Sequence, residues 1–136
     1  MVSALAIDVG TTSIRTAIVG TDGDVTREHR QRLGLRTPNP GEVELDAVEI
    51  ARLALELATR TLDDAGGADV VGITNQRATT IVFDPVTGAP VGPALGWQDL
   101  RTVIDCLILQ GDGLRLAPNQ SATKVRWLVN HSGRAS

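Results

Sequence analysis

Residues 4–19 read ALAIDVGTTSIRTAIV, two apolar runs joined by a short polar turn. Each run, Ala4 to Val9 and Ile14 to Val19, is typical of a mostly buried strand. The sequence TDGD at 21–24 favours a hairpin turn, because Asp-Gly pairs adopt the positive φ angles that match strand twist. A third and more polar strand fits between Val25 and Leu35. The pattern therefore predicts an antiparallel three-strand meander at the start of the chain.

A helix is predicted after the proline-containing loop at 37–41. Asp46 can cap this helix, and Glu49, three residues further on, completes a capping-box-like pattern. Its apolar stripe recurs at helical spacing and consists of Ile50, Leu53, Ala54, Leu57 and Ala58. Glu56 and Arg60 are expected to form an ion pair on the solvated side, since residues four apart are neighbours on a helix.

The second half of the chain predicts shorter elements. They are strands at Val70–Thr74 and Thr79–Phe83, an extended segment from Pro90 to Trp97, and helices at Asp99–Gln110 and Ala122–Asn130. Ser121 is expected to cap the last helix and Gly133 to end it. The order of elements fits one α/β domain over residues 1–136, with a mixed sheet and flanking helices.

The composition limits the possible function classes. The chain has 136 residues, 42% hydrophobic and 21% charged, with a net charge of −3. This charge and the lack of a Lys/Arg cluster predict no nucleic-acid partner. Cys106 is the only cysteine, which favours a reducing compartment and a buried, apolar role for this side chain. His29 and His131 lack ligand-like spacing, so we expect no metal site at the histidines. The start of the chain does not resemble a signal peptide, and no apolar run approaches the ~20 residues that span a bilayer, so we expect a cytoplasmic protein without membrane contact.

The first candidate site is the sequence DVGTTSIR at 8–15, which turns from the first strand into the second. Successive amides of a tight turn can form an anion nest that suits phosphate, and Gly10 lets the backbone approach a ligand closely. Asp8 offers carboxylate oxygens to Mg²⁺, and Arg15 offers positive charge to a phosphate. The alternative interpretation is an ordinary hairpin turn with β-prone threonines.

Two further segments carry polar side chains, GITNQR at 72–77 and GWQDLRT at 96–102. The first ends a strand, where ligands of α/β sheets bind, and its amides and guanidinium suit a hydroxyl-rich ligand. In the second, Trp97 offers a flat apolar face to sugar C–H groups and an N–H donor, with polar neighbours beside it. The alternatives are a polar loop with Arg77 in a surface ion pair, and a Trp97 that simply packs in the core.

The three segments, in this order, resemble the FGGY family of carbohydrate kinases, and within it the glycerol kinases. The likeness continues at Thr79-Thr80, Ser121, Thr123-Lys124 and Trp127, and so runs along nearly the whole chain. The resemblance implies an actin-like, ribonuclease H-like ATPase fold. It also implies transfer of the γ-phosphoryl group of ATP, with Mg²⁺, to a primary hydroxyl of a small-molecule sugar or polyol.

The resemblance also implies roles for individual residues. The residues expected at the nucleotide phosphates are Gly10, Thr11, Thr12, Ser13 and Arg15, with Asp8 at the metal. The residues expected in the substrate pocket are Gln76, Arg77, Trp97, Asp99 and Asn119.

Two positions depart from the glycerol kinase pattern. The residue after the matching arginine is Glu in glycerol kinases and Ala78 here, and a tyrosine of their pocket aligns with Asn119. The stretch between Arg101 and Thr123 is also shorter. Because a site built for hydroxyl groups discriminates through such anchors, we expect a substrate other than glycerol.

The length of the chain sets a further expectation. Members of the family are several times longer and place the active site between two domains, with the catalytic base downstream of the region that ends here at Ser136. The chain is therefore expected to be a truncated piece that is inactive alone and that self-associates through an exposed interdomain face. The alternative is a non-catalytic binding or regulatory module of the same fold.

Overall fold

The computed structural model describes residues 2–132. In chain order the strands are β1 Ser3–Val9, β2 Ser13–Gly20, β3 Val25–Arg32, β4 Leu35–Arg36, β5 Glu44–Leu45, β6 Val70–Asn75 and β7 Ala94–Leu95, and the helices are α1 Ala47–Ala65, α2 Val103–Gly111 and α3 Ser121–His131. The chain forms two compact units, the first from residues up to 34 with 49–76, the second from 35–48 with 77 onward.

The first unit contains a four-stranded sheet in the order β3-β2-β1-β6. β1, β2 and β3 pair antiparallel in succession, so the predicted meander is confirmed, and β6 adds parallel to β1. β3 ends at Arg32, earlier than the expected limit at Leu35. The reason is local: the Leu33 amide donates to the Thr12 carbonyl at 2.9 Å, and Leu35 continues instead into β4, which pairs with β5.

Helix α1 packs on one face of this sheet. Leu5, Ile7 and Ile18 form a buried cluster with Ala58 of the helix, as the apolar stripe predicts. The stripe itself is confirmed, since four of its five residues are buried and the fifth, Ala54, is half-buried. Burial of such apolar side chains away from water is the main stabilising contribution to this unit.

Two local predictions for α1 have different outcomes. Asp46 accepts a hydrogen bond from the Val48 amide at 2.9 Å, which fits its expected place at the helix start. The prediction that Glu56 pairs with Arg60 is wrong. Glu56 pairs instead with Arg52, one turn earlier, whose guanidinium reaches both carboxylate oxygens at 2.7 and 2.8 Å.

The second unit is built on a small antiparallel sheet in the order β4-β5-β7. Leu45, Ala94 and Leu95 of this sheet are almost inaccessible to solvent. The predicted strand at Thr79–Phe83 is reduced to two single bridges, and the extended return before Trp97 to the two residues of β7. Pro90 and Pro93 explain this, because proline has no amide to donate to a ladder.

Both predicted helices of the second unit are present. α2 starts at Val103 and not at Asp99, because the Asp99 carboxylate accepts from the Arg101 amide and holds a turn there. α3 runs from Ser121, so its capping position falls on Gln120. Gly133, expected to end it, lies outside the described residues. No helix within residues 2–132 is both long and apolar enough to cross a membrane.

A hydrogen-bonded pair of buried hydroxyl groups joins α1 to β2 and generates a test of the packing. Thr61 and Thr16 are almost inaccessible, their oxygens lie 2.7 Å apart, and His29 Nδ1 lies 3.0 Å from the Thr61 oxygen. Thr61→Val keeps the shape but removes the Thr61 partner of His29 Nδ1 and leaves the Thr16 hydroxyl with the Leu57 carbonyl at 3.2 Å, so we expect the free energy of unfolding to fall by about 1–3 kcal/mol. The control is Thr59→Val on the exposed side of α1, expected within about 0.5 kcal/mol of the parent. Equal urea midpoints for the two variants would contradict this packing.

Candidate functional site

The turn between β1 and β2 is held tightly by its own backbone. The Gly10 amide donates to the Ser13 carbonyl at 3.0 Å, and a Cβ at Gly10 would lie only 2.9 Å from that oxygen, so no larger residue fits without a shift. Arg30 Nε donates to the Ser13 hydroxyl at 3.1 Å. Thr11 is half-buried and Thr12 exposed. The turn is therefore a short, preorganised loop in which glycine is required for close packing.

Asp8 and Arg15 lie directly opposite each other in the β1–β2 register, on the sheet face away from α1. Arg15 donates twice to Asp8 Oδ2, from Nη2 at 2.7 Å and from Nε at 3.2 Å. Together with Glu28 of β3 they line a shallow depression of about 200 Å³. The predicted metal ligand and the predicted phosphate cation thus neutralise each other here, beside a second carboxylate that the sequence did not single out.

The donor groups near Asp8 suit a metal ion only in part. Within residues 2–132 no group of three or more His, Cys, Asp or Glu side chains is arranged to hold a metal. Carboxylate oxygen is nevertheless a preferred ligand of Mg²⁺, which usually keeps several waters and binds through one or two carboxylates plus phosphate oxygens. The site therefore fits a magnesium ion that arrives with a nucleotide, and not a dedicated protein cage.

Gln76 connects the end of β6 to the turn. Its amide donates to the Val9 carbonyl at 2.9 Å, which extends the parallel pairing by one residue. Its side-chain Nε2 donates to the Gly10 carbonyl at 3.3 Å. A residue expected in the substrate pocket thus contacts the loop expected to bind phosphate.

Arg77 and Trp97 are both exposed, whereas Ala78 beside Arg77 is half-buried and Gly96 beside Trp97 is buried. Ala78, directly after Arg77, has a φ of 64°, a conformation that few residues other than glycine adopt. Gly96, directly before Trp97, packs so closely on Val43 that a Cβ would lie 2.8 Å from a side-chain carbon. The two segments are therefore fixed at the backbone while their long side chains face solvent.

Asp99 does not lie on an open surface, contrary to what a substrate contact requires. It is fully buried, and it accepts hydrogen bonds from the Val43 amide and from the Arg101 amide and guanidinium. Arg101 also donates to Glu44 at 2.9 Å and lies over the Trp127 ring, 4.5 Å from its centroid. Burial acts to lower the pKa of Arg101, but the hydrogen bonds to Asp99 and Glu44 outweigh it and raise the pKa above its ordinary value.

The remaining predicted residues are distributed as follows. Asn119 is exposed in the loop between α2 and α3. Cys106 is buried, as expected, with its sulfur 3.6 Å from the Thr123 hydroxyl. Lys124, which sequence reasoning left without a role, is fully buried and contacts backbone beside both Arg77 and Trp97. Its rarity was the available signal, because it is the single lysine among 13 basic residues.

The Asp99 network generates a stability prediction. Asp99→Ala removes a buried carboxylate that accepts from the Val43 amide and from a guanidinium only 5% exposed, which keeps Glu44 as a partner, so we expect the free energy of unfolding to fall by about 3 kcal/mol. The matched control is Asp105→Ala, which removes an exposed partner of Arg126 and should cost under about 1 kcal/mol. Urea titrations of both variants measure the difference. Similar midpoints for the two would show that the buried network contributes little.

The chain is similar in sequence to known glycerol kinases. It is 38% identical over 140 residues to the glycerol kinase of Gluconobacter oxydans, covering 93% of this chain and 27% of that protein. It is 40% identical over 141 residues to that of Rhodospirillum centenum, covering 93% of this chain and 28% of that protein. The chain thus spans less than a third of the length of the curated relatives it matches.

The chain is also similar in fold to solved structures of carbohydrate kinases. The structure of Plasmodium falciparum glycerol kinase with ADP matches 98% of this chain and 30% of that one, with a TM-score of 0.85 and 24% identity. The structure of the xylulose kinase of Rhodospirillum rubrum matches 97% of this chain and 30% of its own chain, with a TM-score of 0.79 and 19% identity. The expected actin-like α/β fold is confirmed by these likenesses. The sequence-family model for the N-terminal domain of the FGGY family of carbohydrate kinases matches residues 3–135, and the chain belongs to this family.

Proposed function

We propose that this chain is the amino-terminal part of an ATP-dependent kinase that phosphorylates a hydroxyl group of a sugar or polyol other than glycerol. Kinases of the FGGY family act on carbohydrates, and the similar relatives are glycerol kinases. The observation that carries the proposal is the hydrogen bond from Gln76 to the Gly10 carbonyl. It links a strand end suited to a hydroxyl-rich ligand with a turn suited to phosphate.

The nucleotide would bind at the turn between β1 and β2. Thr11 and Thr12 would offer backbone amides and hydroxyls to the phosphates, and Gly10, whose own amide donates to the Ser13 carbonyl, would let the backbone approach them closely. The Ser13 hydroxyl accepts from Arg30 Nε and keeps its own proton, which it would donate to a phosphate oxygen. ATP supplies the phosphoryl group, and Mg²⁺ supplies charge neutralisation on the phosphates when both are bound.

Asp8 and Arg15 would change partners when the nucleotide binds. Their ion pair is half-exposed, and such pairs contribute only about 0–1 kcal/mol. Arg15 can therefore turn towards a phosphate, and Asp8 towards Mg²⁺ or its waters, at little cost to the fold. In the absence of nucleotide, the Asp8 carboxylate and the Arg15 guanidinium would neutralise each other.

The substrate would bind to Gln76, Arg77, Trp97 and Asn119. Trp97, a residue 44% exposed, would offer the flat apolar face of its ring to C–H groups, and the amides and the guanidinium would offer donors to hydroxyl oxygens. Asp99 would act indirectly, by fixing the loop that follows Trp97, because its carboxylate is buried and engaged.

Ala78 and Asn119 support a substrate other than glycerol. The resemblance assigns a carboxylate and a phenol to these positions in glycerol kinases, and both hydrogen-bonding anchors are missing here. Each lost bond is worth about 1–3 kcal/mol, or roughly tenfold per 1.4 kcal/mol in specificity. The small Ala78 side chain also leaves room for a longer sugar or polyol.

The substrate assignment predicts a gain for one substitution in the complete kinase. Ala78→Glu restores the carboxylate, and since Ala78 already has a positive φ, the change adds little backbone strain. We expect kcat/KM for glycerol, relative to xylitol and D-xylulose, to rise by about tenfold or more. Ala78→Gln, similar in size but uncharged, is the control and should gain less. A parent enzyme that already prefers glycerol by a wide margin would contradict the assignment.

The chain alone is proposed to be inactive, because phosphoryl transfer needs nucleotide, metal and a base-like group together, and no residue of this chain is assigned as the base. We expect no sugar phosphate when the chain is incubated with ATP, Mg²⁺ and a panel of three- to five-carbon polyols and sugars. Coupled ADP release and mass spectrometry of products measure this. Turnover of ~1 s⁻¹ or more would contradict the proposal.

Self-association of the chain is also part of the proposal. Within the described residues β6 pairs with β1 alone, and its Val70, Val71 and Ile73 side chains are 54–70% exposed. An exposed apolar strand at a sheet edge favours pairing with another copy. We expect the mean mass from light scattering to rise with concentration, and Ile73→Lys to suppress the rise. Val86→Lys, which adds the same charge in the exposed turn at 84–88, is the control. A monomer at all concentrations would contradict this.

A further inference from the structure

Lys124 is the single lysine of the chain, and it is fully buried in α3. Removing an ammonium from water costs several kcal/mol unless oxygen atoms replace the water. Here two backbone carbonyls do so: Nζ donates to the Gly96 oxygen at 2.6 Å and to the Ala78 oxygen at 3.2 Å. A compact ammonium with three donors can bridge two carbonyls in this way, whereas the planar guanidinium of arginine is larger and has a fixed geometry.

The two carbonyls belong to the segments that carry Arg77 and Trp97. Ala78 follows Arg77 and has a φ of 64°, so its peptide needs a partner that stabilises an unfavourable conformation. The Gly96 carbonyl, directly before Trp97, also accepts a hydrogen bond from the Asp99 amide at 3.1 Å. One ammonium group therefore joins two stretches of chain 18 residues apart in sequence, each next to a residue expected to contact substrate.

We propose that Lys124 is a positioning residue of the substrate pocket: by holding the Ala78 and Gly96 carbonyls it fixes the spacing of Arg77 and Trp97. The inference rests on the proposed function, because it assigns the sugar or polyol to those two side chains. Lys124 itself is too buried to touch a substrate. Its loss should therefore weaken ligand binding through mobility of Trp97 and not through a lost contact.

The charged and titratable groups around Lys124 allow a direct readout. Burial lowers the pKa of Lys124 below its ordinary value, while Asp99 acts to raise it and Arg101 to lower it. Cys106, from α2, is the other neighbouring group, and it acts to raise the pKa of Lys124. The sequence has no tyrosine, so few other groups titrate between about pH 8 and 11.

The test uses the full 136-residue chain with Trp127→Phe, which leaves Trp97 as the only fluorophore apart from phenylalanine. Lys124→Met is compared with Arg126→Met. The second substitution also removes a charge from α3, but Arg126 bonds to Asp105 and to neither carbonyl. We expect Lys124→Met to increase acrylamide quenching of Trp97 about twofold and to weaken D-xylulose binding about tenfold. Arg126→Met should change neither.

A second measurement needs no variant at Lys124 and so holds even if Lys124→Met fails to fold. With ¹³Cε-labelled lysine the chain gives one side-chain signal, whose pH titration reports Lys124 directly. We expect Trp97 fluorescence to change with the same midpoint, and to do so equally in Cys106→Ala. A Trp97 signal that is flat through the Lys124 transition would overturn the inference.

The outcomes also separate this inference from the proposed function. If D-xylulose binds the parent and Lys124→Met equally, the positioning role is wrong and the proposed function stands. If neither D-xylulose, xylitol nor erythritol perturbs Trp97 in the parent, and the complete kinase phosphorylates none of them, the proposed function fails and the inference fails with it. Weaker binding in Lys124→Met with tighter Trp97 packing would also overturn the inference, since it requires a more mobile Trp97.

Discussion

β1 is hydrogen-bonded along both edges, antiparallel to β2 and parallel to β6, and the polar groups of the first unit depend on this double pairing. The antiparallel pair forces the chain to reverse at residues 10–13. The parallel pair brings the end of β6 to the same edge, because parallel strands terminate side by side. Gln76 therefore emerges next to the turn and bonds to the Gly10 carbonyl. A slip of one residue in β1 would move Asp8 to the α1 face and dismantle the arrangement.

The energies explain why this arrangement can be both stable and able to bind a ligand. Burying one side chain such as Leu5 or Ile18 against α1 contributes about 1.5–3 kcal/mol, whereas an exposed ion pair such as Asp8–Arg15 contributes about 0–1 kcal/mol. The apolar face thus sets the register of the strands. On the polar face, the partner exchange proposed for Asp8 and Arg15 would leave the sheet intact.

Local patterns in the sequence were sufficient for the meander and for α1. Both rest on short-range periodicity and on an Asp-Gly turn, and both are present in the structure. The strand predicted at Thr79–Phe83 failed because its partner segment contains Pro90 and Pro93, which cannot complete a ladder. The residues at 79–83 alone do not show which segment pairs with them, so the effect of the two prolines could not be predicted.

The buried polar network of the second unit lay beyond sequence reasoning for another reason. Arg101 meets Glu44 across 57 residues of chain, and Lys124 meets Ala78 across 46. No local spacing encodes such contacts, since they arise only when distant segments pack. Asp99 was accordingly expected at the substrate, although its carboxylate holds the loop. The predicted turn at 10–13 was accessible because its glycine, hydroxyls and flanking strands are contiguous.

The central claim is that this turn binds nucleotide phosphate, and amide NMR of the ¹⁵N-labelled chain tests it most directly. On addition of MgATP, the account predicts that the largest shift changes occur at Gly10 to Arg15 and that they weaken in Gly10→Ala. Adenosine without phosphates should leave these amides unchanged. Shift changes confined to other parts of the chain, or equal changes with adenosine, would contradict the claim.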